Sequence, residues 1–200
     1  MPVSHTYQIS SIMESVILCN PKSILEVGIG FGKYGVLCYE RLNLWWHGLT
    51  KEDYQLKKVR IDGIEIYKHY QNPIYKFVYD SVFWGNALDF MTKFKDKSYD
   101  LILLIDVLEH FNKEDGVKLL NECKRVSKNI LISTPKDIGN QSQHFGNEAE
   151  CHKFQWTKEL YNEFLPENKT FINNRHSIIL FYGEKWEIVY NQKSFTGEQK

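Results

Sequence analysis

The densest chemistry in the chain lies between Ile24 and Gly35. A short apolar run, Ile24–Val27, contains one acid, Glu26, and is followed by glycines at alternate positions, Gly28, Gly30 and Gly32. Glycine lets the backbone turn sharply and lets a ligand approach the main chain closely. A helix expected to begin near Lys33 adds free N–H groups and the positive end of its dipole, which favour an anionic group such as a phosphate or carboxylate. Glu26 acts in the opposite sense: at the mouth of the strand it repels a pyrophosphate and attracts an ammonium. A literal dinucleotide fingerprint, Gly30-x-Gly32-x-x-Gly35, also stands here and is weak alone. A tight strand–helix turn without any ligand is the plainest competing reading.

A second group follows the longest apolar run, Tyr99–Ile105: Asp106, Glu109 and His110. An imidazole ordinarily titrates near pH 6.5, so His110 is a candidate general base. Glu109 could orient it, and Asp106 fits a pocket-shaping role; equally, Glu109-His110 could simply cap the next turn. The segment Gln143–Trp156 adds His144, Asn147, Glu148, His152 and Trp156 as substrate or lid candidates. On paper His144, Glu148 and His152 could hold a metal. Their spacing fits no zinc pattern and there is no HExxH, so no metal is expected. Trp45, Trp46 and His47 could form a flap over an acceptor, and His5 and Tyr7 could reach the same pocket.

Taken together, Glu26-Val27-Gly28-Ile29-Gly30-Phe31-Gly32 resembles motif I, E/D-x-G-x-G-x-G, of class I S-adenosylmethionine-dependent methyltransferases. The resemblance implies that Gly28, Gly30 and Gly32 pack against the methionine part of that cofactor, with Glu26 toward its amino group. It implies that Glu65, ending Ile61-Asp62-Gly63-Ile64-Glu65, binds both ribose hydroxyls, with Ile66 or Tyr67 against the adenine. Gly85-Asn86-Ala87 stands where the family often has Asp-Ala, which assigns Asn86 and Ala87 to the adenine edge. Leu104-Ile105-Asp106-Val107-Leu108-Glu109-His110 resembles the D-V-L-E-H signature frequent among small-molecule members and brings Asp106 and Val107 to the cofactor. Thirty-three residues separate Gly32 from Glu65, against about 20 in a minimal unit. An insertion over Leu42–Arg60 accounts for the excess; were it placed elsewhere, Asp62 would compete as the ribose ligand.

The implied activity is methyl transfer to a small-molecule acceptor. Two alternatives stay open: a catalytically silent cofactor-binding subunit of the same fold, and a nicotinamide-dependent oxidoreductase using the Gly30–Gly35 fingerprint. No N/D-P-P-Y-type signature follows the fourth strand, which disfavours methylation of nucleobase amines.

Positioning these residues requires strand and helix in alternation. The pattern predicts a Rossmann-like, doubly wound α/β fold with a mostly parallel sheet of about seven strands, helices on both faces and a C-terminal antiparallel hairpin. Strands are expected at 23–27, 61–65, 81–84, 99–105 and 129–133, with the hairpin at 177–182 and 186–190. Helices are expected at 5–18 (capped by Ser4), 33–41, 113–126 and 157–164, with one or two helical pieces within 67–79. Residues 1–190 read as one domain with an inserted loop at 42–60 and a substrate-side loop at 136–156, and 191–200 read as a polar, frayed tail.

Lys plus Arg and Asp plus Glu each total 25, so the formal net charge is zero. The halves are balanced too: 12 basic and 11 acidic residues in 1–100, then 13 and 14. A nucleic-acid binder held by phosphate contacts needs a basic excess, so nucleic acid is disfavoured as partner. The longest apolar runs are too short to span a bilayer, and Met1–Ser10 lacks a secretory pattern. The four cysteines show no CxxC spacing. Cys19, Cys38 and Cys123 read as buried, reduced thiols in a cytoplasmic protein.

Overall fold

The computed structural model describes residues 3–44 and 57–196. Trp45, Trp46, His47 and most of the expected insertion lie outside the described residues. Asn43 fixes where that insertion leaves and rejoins the fold: its Oδ1 accepts from the N–H groups of Lys58 (2.7 Å) and Val59 (2.8 Å).

A seven-stranded sheet runs in the order β3-β2-β1-β4-β5-β7-β6. Its strands are β1 (Ser23–Val27), β2 (Arg60–Glu65), β3 (Ser81–Trp84), β4 (Tyr99–Ile105), β5 (Ser127–Pro135), β6 (Lys169–Ile172) and β7 (Ser177–Gly183). β1 to β5 are parallel, and β7 joins β5 and β6 antiparallel. β4 is central and buried along nearly its whole length, which is why its sequence is a continuous apolar run. From β1 the chain winds outward through β2 to β3, then returns to β4 and winds the other way. That reversal opens a crevice beyond the carboxyl ends of β1 and β4, where ligands bind in open α/β sheets.

The helices are α1 (Ile9–Cys19), α2 (Lys33–Tyr39), α3 (Pro73–Val78), α4 (Ala87–Met91), α5 (Lys113–Val126), α6 (Lys158–Phe164) and α7 (Trp186–Thr196). α5 has the capping its sequence promises. Asn112 Oδ1 accepts from the Asp115 N–H, Glu114 and Asp115 stand in the first turn, and Lys124 and Arg125 stand in the last. Thr157 caps α6 as expected. Two apolar clusters, one on each sheet face, form the core.

Four expectations are corrected. The first helix begins at Ile9, after a 3₁₀ turn at Thr6–Gln8, and has no side-chain cap, so Ser4 does not cap it. α2 stops at Tyr39 and gives way to a π-helical turn over Glu40–Leu44. Trp186–Tyr190 is helical, part of α7, and the hairpin partner of β7 is β6 instead. β6 is only four residues long and lacks the apolar run that marks β7, so its alternation was easily missed. α7 also carries the supposed tail as far as Thr196. All four cysteines are free; Cys19, Cys38 and Cys123 are buried, as read from the sequence.

Candidate active site

The crevice holds a cavity walled by the ends of β1, β2 and β4 and by the turns after them. The glycine loop forms its floor. Gly28 and Gly30 sit at φ +74° and +55°, and Gly32 caps α2 at φ +87°. At Gly28 a Cβ would stand 2.8 Å from Val107 Cγ2, so the loop must pass bare beneath the turn after β4. Gly32 does not face the cavity; a Cβ there would press on Ile74. Gly35, third glycine of the dinucleotide fingerprint, likewise serves packing: its Cβ would lie 2.2 Å from Tyr79 Oη.

Tyr79 needs that space because its hydroxyl donates to Glu26 Oε2 at 2.6 Å. Glu26 is buried and borders the cavity. Burial pushes its carboxyl up to about 8, and the Tyr79 hydrogen bond only partly offsets this. Glu65 is also buried and borders the cavity. Its Oε2 accepts from the Gly30 N–H (2.9 Å) and its Oε1 from the Tyr67 N–H (2.8 Å), which leaves each oxygen a further lone pair. Burial raises its pKa as well. Asp62 lies within the sheet, wholly buried, bonded to Arg60 and to Tyr99 Oη, away from the cavity. Among the described residues neither Glu26 nor Glu65 has a basic partner. Two buried carboxylates facing one cavity suit a ligand that brings a cation and a diol.

Ile66, half exposed, offers an apolar face at the cavity mouth, and Ala87 and Val107 also line it. Asn86 borders the cavity, but its Oδ1 caps α4 by accepting from the Leu88 N–H (3.0 Å). Asp106 holds φ +54° and accepts from Gln8 Nε2 (2.7 Å) and Ser133 Oγ (3.3 Å). Those bonds tie the N-terminal 3₁₀ turn to the crevice.

Beyond Asp106 lies a second cavity, bordered by His5, Tyr7, Glu109, His110, His152 and His176. His110 and Asp106 line both cavities. Burial lowers the His110 pKa to about 4, only partly countered by the hydrogen bond to the Cys151 carbonyl. The imidazole is therefore neutral at pH 7. Its Nδ1 sits 3.2 Å from Cys151 O; a carbonyl can only accept, so Nδ1 carries the proton and Nε2 keeps its lone pair. Glu109 is buried, and burial raises its pKa well above the ordinary carboxylate value.

The long loop after β5 is ordered by its own contacts. Tyr67 Oη donates to Phe145 O (2.7 Å), Tyr70 Oη to Glu150 Oε1 (3.0 Å), and Asn147 Nδ2 to Tyr70 Oη (3.3 Å). Asn147 reaches the first cavity and His152 the second. His144 closes a turn with Asn147 and borders neither cavity, and neither does Glu148. Trp156 is corrected from substrate candidate to core: it is 0% exposed, stacks on Tyr161, and donates from Nε1 to Leu108 O (3.0 Å). Sequence reasoning missed Tyr79 and Tyr75, whose hydroxyl donates to Gly30 O at 2.5 Å. Their one visible signal was the aromatic richness of 67–79.

The chain matches the family described as methyltransferase domain over residues 25–130, more than half its length. No protein of curated function matches it in sequence. Among solved structures it is similar to a SAM dependent methyltransferase from Archaeoglobus fulgidus: 16% identity, TM-score 0.52, 82% of this chain and 72% of that one. It is similar to an O-methyltransferase family protein from Burkholderia thailandensis at 11% identity and TM-score 0.63, over 88% of this chain but only 55% of that one. It is also similar to the N-terminal domain of EvdMO1, solved in the presence of SAH and D-fucose: 15% identity, TM-score 0.62, 90% and 84% covered. At these identities the likeness shows the fold. Among the described residues, no helix is long and apolar enough to cross a membrane.

Proposed function

The chain belongs to the methyltransferase domain family, and we propose that it carries a methyl group from S-adenosylmethionine to a small-molecule acceptor. The observation that carries this reading is the pair of buried carboxylates, Glu26 and Glu65, facing one cavity across the glycine loop without a basic partner. Glu26 suits the ammonium of the cofactor and Glu65 its ribose diol. Ile66 offers a face for the adenine. Asn86 keeps its amide group to meet the ring edge, since its carbonyl caps α4.

S-adenosylmethionine supplies a sulfonium methyl that is already a strong electrophile. The residues of the chain need only align, desolvate and orient. Asp106 and His110, at the junction of the two cavities, stand between cofactor and acceptor. With a pKa near 4, His110 is a weak base at pH 7, so positioning of the acceptor suits it better than proton removal.

Incubation with methyl-labelled S-adenosylmethionine and a cell extract tests the reading. Label should enter the small-molecule fraction. Label in RNA or protein would overturn the acceptor class. Cofactor binding without any transfer would favour the silent-subunit reading, and binding of a nicotinamide cofactor in its place would favour the oxidoreductase.

A further inference from the structure

We propose that Glu109, His110 and His152 bind one divalent first-row transition ion at the junction of the two cavities. Each offers a ligand atom, and the three atoms lie within 4.8 Å of one another. Glu109 comes from the turn after β4 and is 1% exposed, yet its Oε2 has no hydrogen-bond partner. A buried carboxyl oxygen left bare is costly and either keeps its proton or meets a cation; here two imidazoles stand beside it to share one.

The histidines are prepared for ligation. His110 Nδ1 donates to Cys151 O and His152 Nδ1 to Ile138 O. Both imidazoles are thus fixed in the tautomer whose Nε2 is free, the backbone-carbonyl support commonly found behind metal-bound histidine. Their ring centroids are 5.1 Å apart. The two segments are also joined by their backbones, since Glu109 O accepts from the N–H groups of Lys153 (2.8 Å) and Phe154 (3.3 Å). Ligand bonds of about 2.0–2.2 Å put donor atoms closer than 4.8 Å, so an ion would draw the side chains inward. Two imidazoles and one carboxylate suit zinc, iron or cobalt better than magnesium or calcium, and leave positions open.

The ion itself does not depend on the methyl-transfer reading; its use does. At the second cavity's inner end the open positions would take an acceptor oxygen, lower its pKa and hold it toward the first cavity. The acceptor class is then a hydroxyl-bearing small molecule.

The test is equilibrium dialysis of untagged protein against Co²⁺, read by bound metal and by visible absorption. One ion per chain is expected, with bands of a nitrogen/oxygen site. His152→Ala and Glu109→Gln should each weaken binding by at least about tenfold, and His144→Ala should leave it unchanged. S-adenosylhomocysteine binding, measured in parallel, should stay within about twofold of wild type in all three, because the cofactor carboxylates are on other strands. Wild-type protein that binds S-adenosylhomocysteine but no Co²⁺ would overturn the ion and spare the methyltransferase reading. So would variants that keep both the Co²⁺ affinity and the spectrum. Loss in His144→Ala and His152→Ala, with Glu109→Gln unaffected, would overturn this ligand set in favour of 144, 148 and 152.

Discussion

On the β1–β2 side of the crevice, the groups that face the cavity come from strand ends and the turns directly after them: Glu26, the glycine loop, Glu65 and Ile66. On the other side, the second cavity is assembled from the N-terminal 3₁₀ turn, the turn after β4, the loop after β5 and the approach to β7. The first is fixed largely through main-chain N–H groups: Gly28 N–H donates to Ile64 O at 2.9 Å, and the Gly30 and Tyr67 N–H groups hold the Glu65 carboxylate. The second is fixed by side chains reaching far along the chain: Gln8 to Asp106, or Asn174 Nδ2 to Tyr7 O at 3.1 Å. Binding of a common cofactor can be written in short contiguous motifs, whereas selection of an acceptor is distributed over segments that only folding brings together.

Four substitutions or measurements test that division. Glu65→Ala should have the largest effect. Losing charge-assisted hydrogen bonds worth about 1.5–3 kcal/mol each should weaken S-adenosylhomocysteine at least about 100-fold by calorimetry, while Asp62→Asn leaves the affinity near wild type. Unchanged affinity in Glu65→Ala would move the ribose ligand elsewhere.

His110→Ala should lower kcat by about 100-fold through lost alignment of the acceptor, with cofactor affinity within twofold, confining the damage to the acceptor side. Because the His110 pKa lies near 4, wild-type kcat should show no inflection from this residue near pH 6.5. An inflection that disappears in His110→Ala would restore it as a general base.

Gly35→Ala should lower stability by about 1–3 kcal/mol through overpacking, because its Cβ would stand 2.2 Å from Tyr79 Oη. Thermal denaturation reads this as a drop of several degrees. An unshifted Tm would mean Tyr79 yields freely, and that its bond to Glu26 is not a fixed part of the cofactor side.

The smallest effect concerns protons. With its pKa raised to about 8, Glu26 is protonated at pH 7 in the free protein. Pairing with an ammonium favours the carboxylate, so binding should release close to one proton, measured as a dependence of the calorimetric heat on buffer ionisation. Glu26→Gln should remove that dependence. The same raised pKa makes the stability contributed by Glu26 complete below its ordinary 4.5 and lost as the pH rises through about 8.

How much was legible in the chain follows the same line. β1, β3, β4 and the cap at Thr157 were readable because local spacing determines them, and the glycine-loop pattern singled out Glu26 and Gly28 directly; Glu65 and Asp106 were implied by the resemblance to the methyltransferase family, and all four border the first cavity. Tyr79 was not, since its role depends on the missing side chain of Gly35, two elements away in sequence. Trp156 misled because a polar, His-rich neighbourhood suggested a lid, while its own ring fills the space left by Gly116, where a Cβ would lie 2.5 Å from its Cζ2. The grouping of His152 with Glu109 and His110 depends on the backbone pairing of 153 and 154 with Glu109, which no periodicity announces.

The most direct test is calorimetric titration of the wild-type protein with S-adenosylhomocysteine, with NAD as comparison. One molecule of S-adenosylhomocysteine should bind per chain, with no competition from NAD. Absence of binding heat from folded protein at every temperature tried, or saturable binding of NAD at the same cavity, would contradict this.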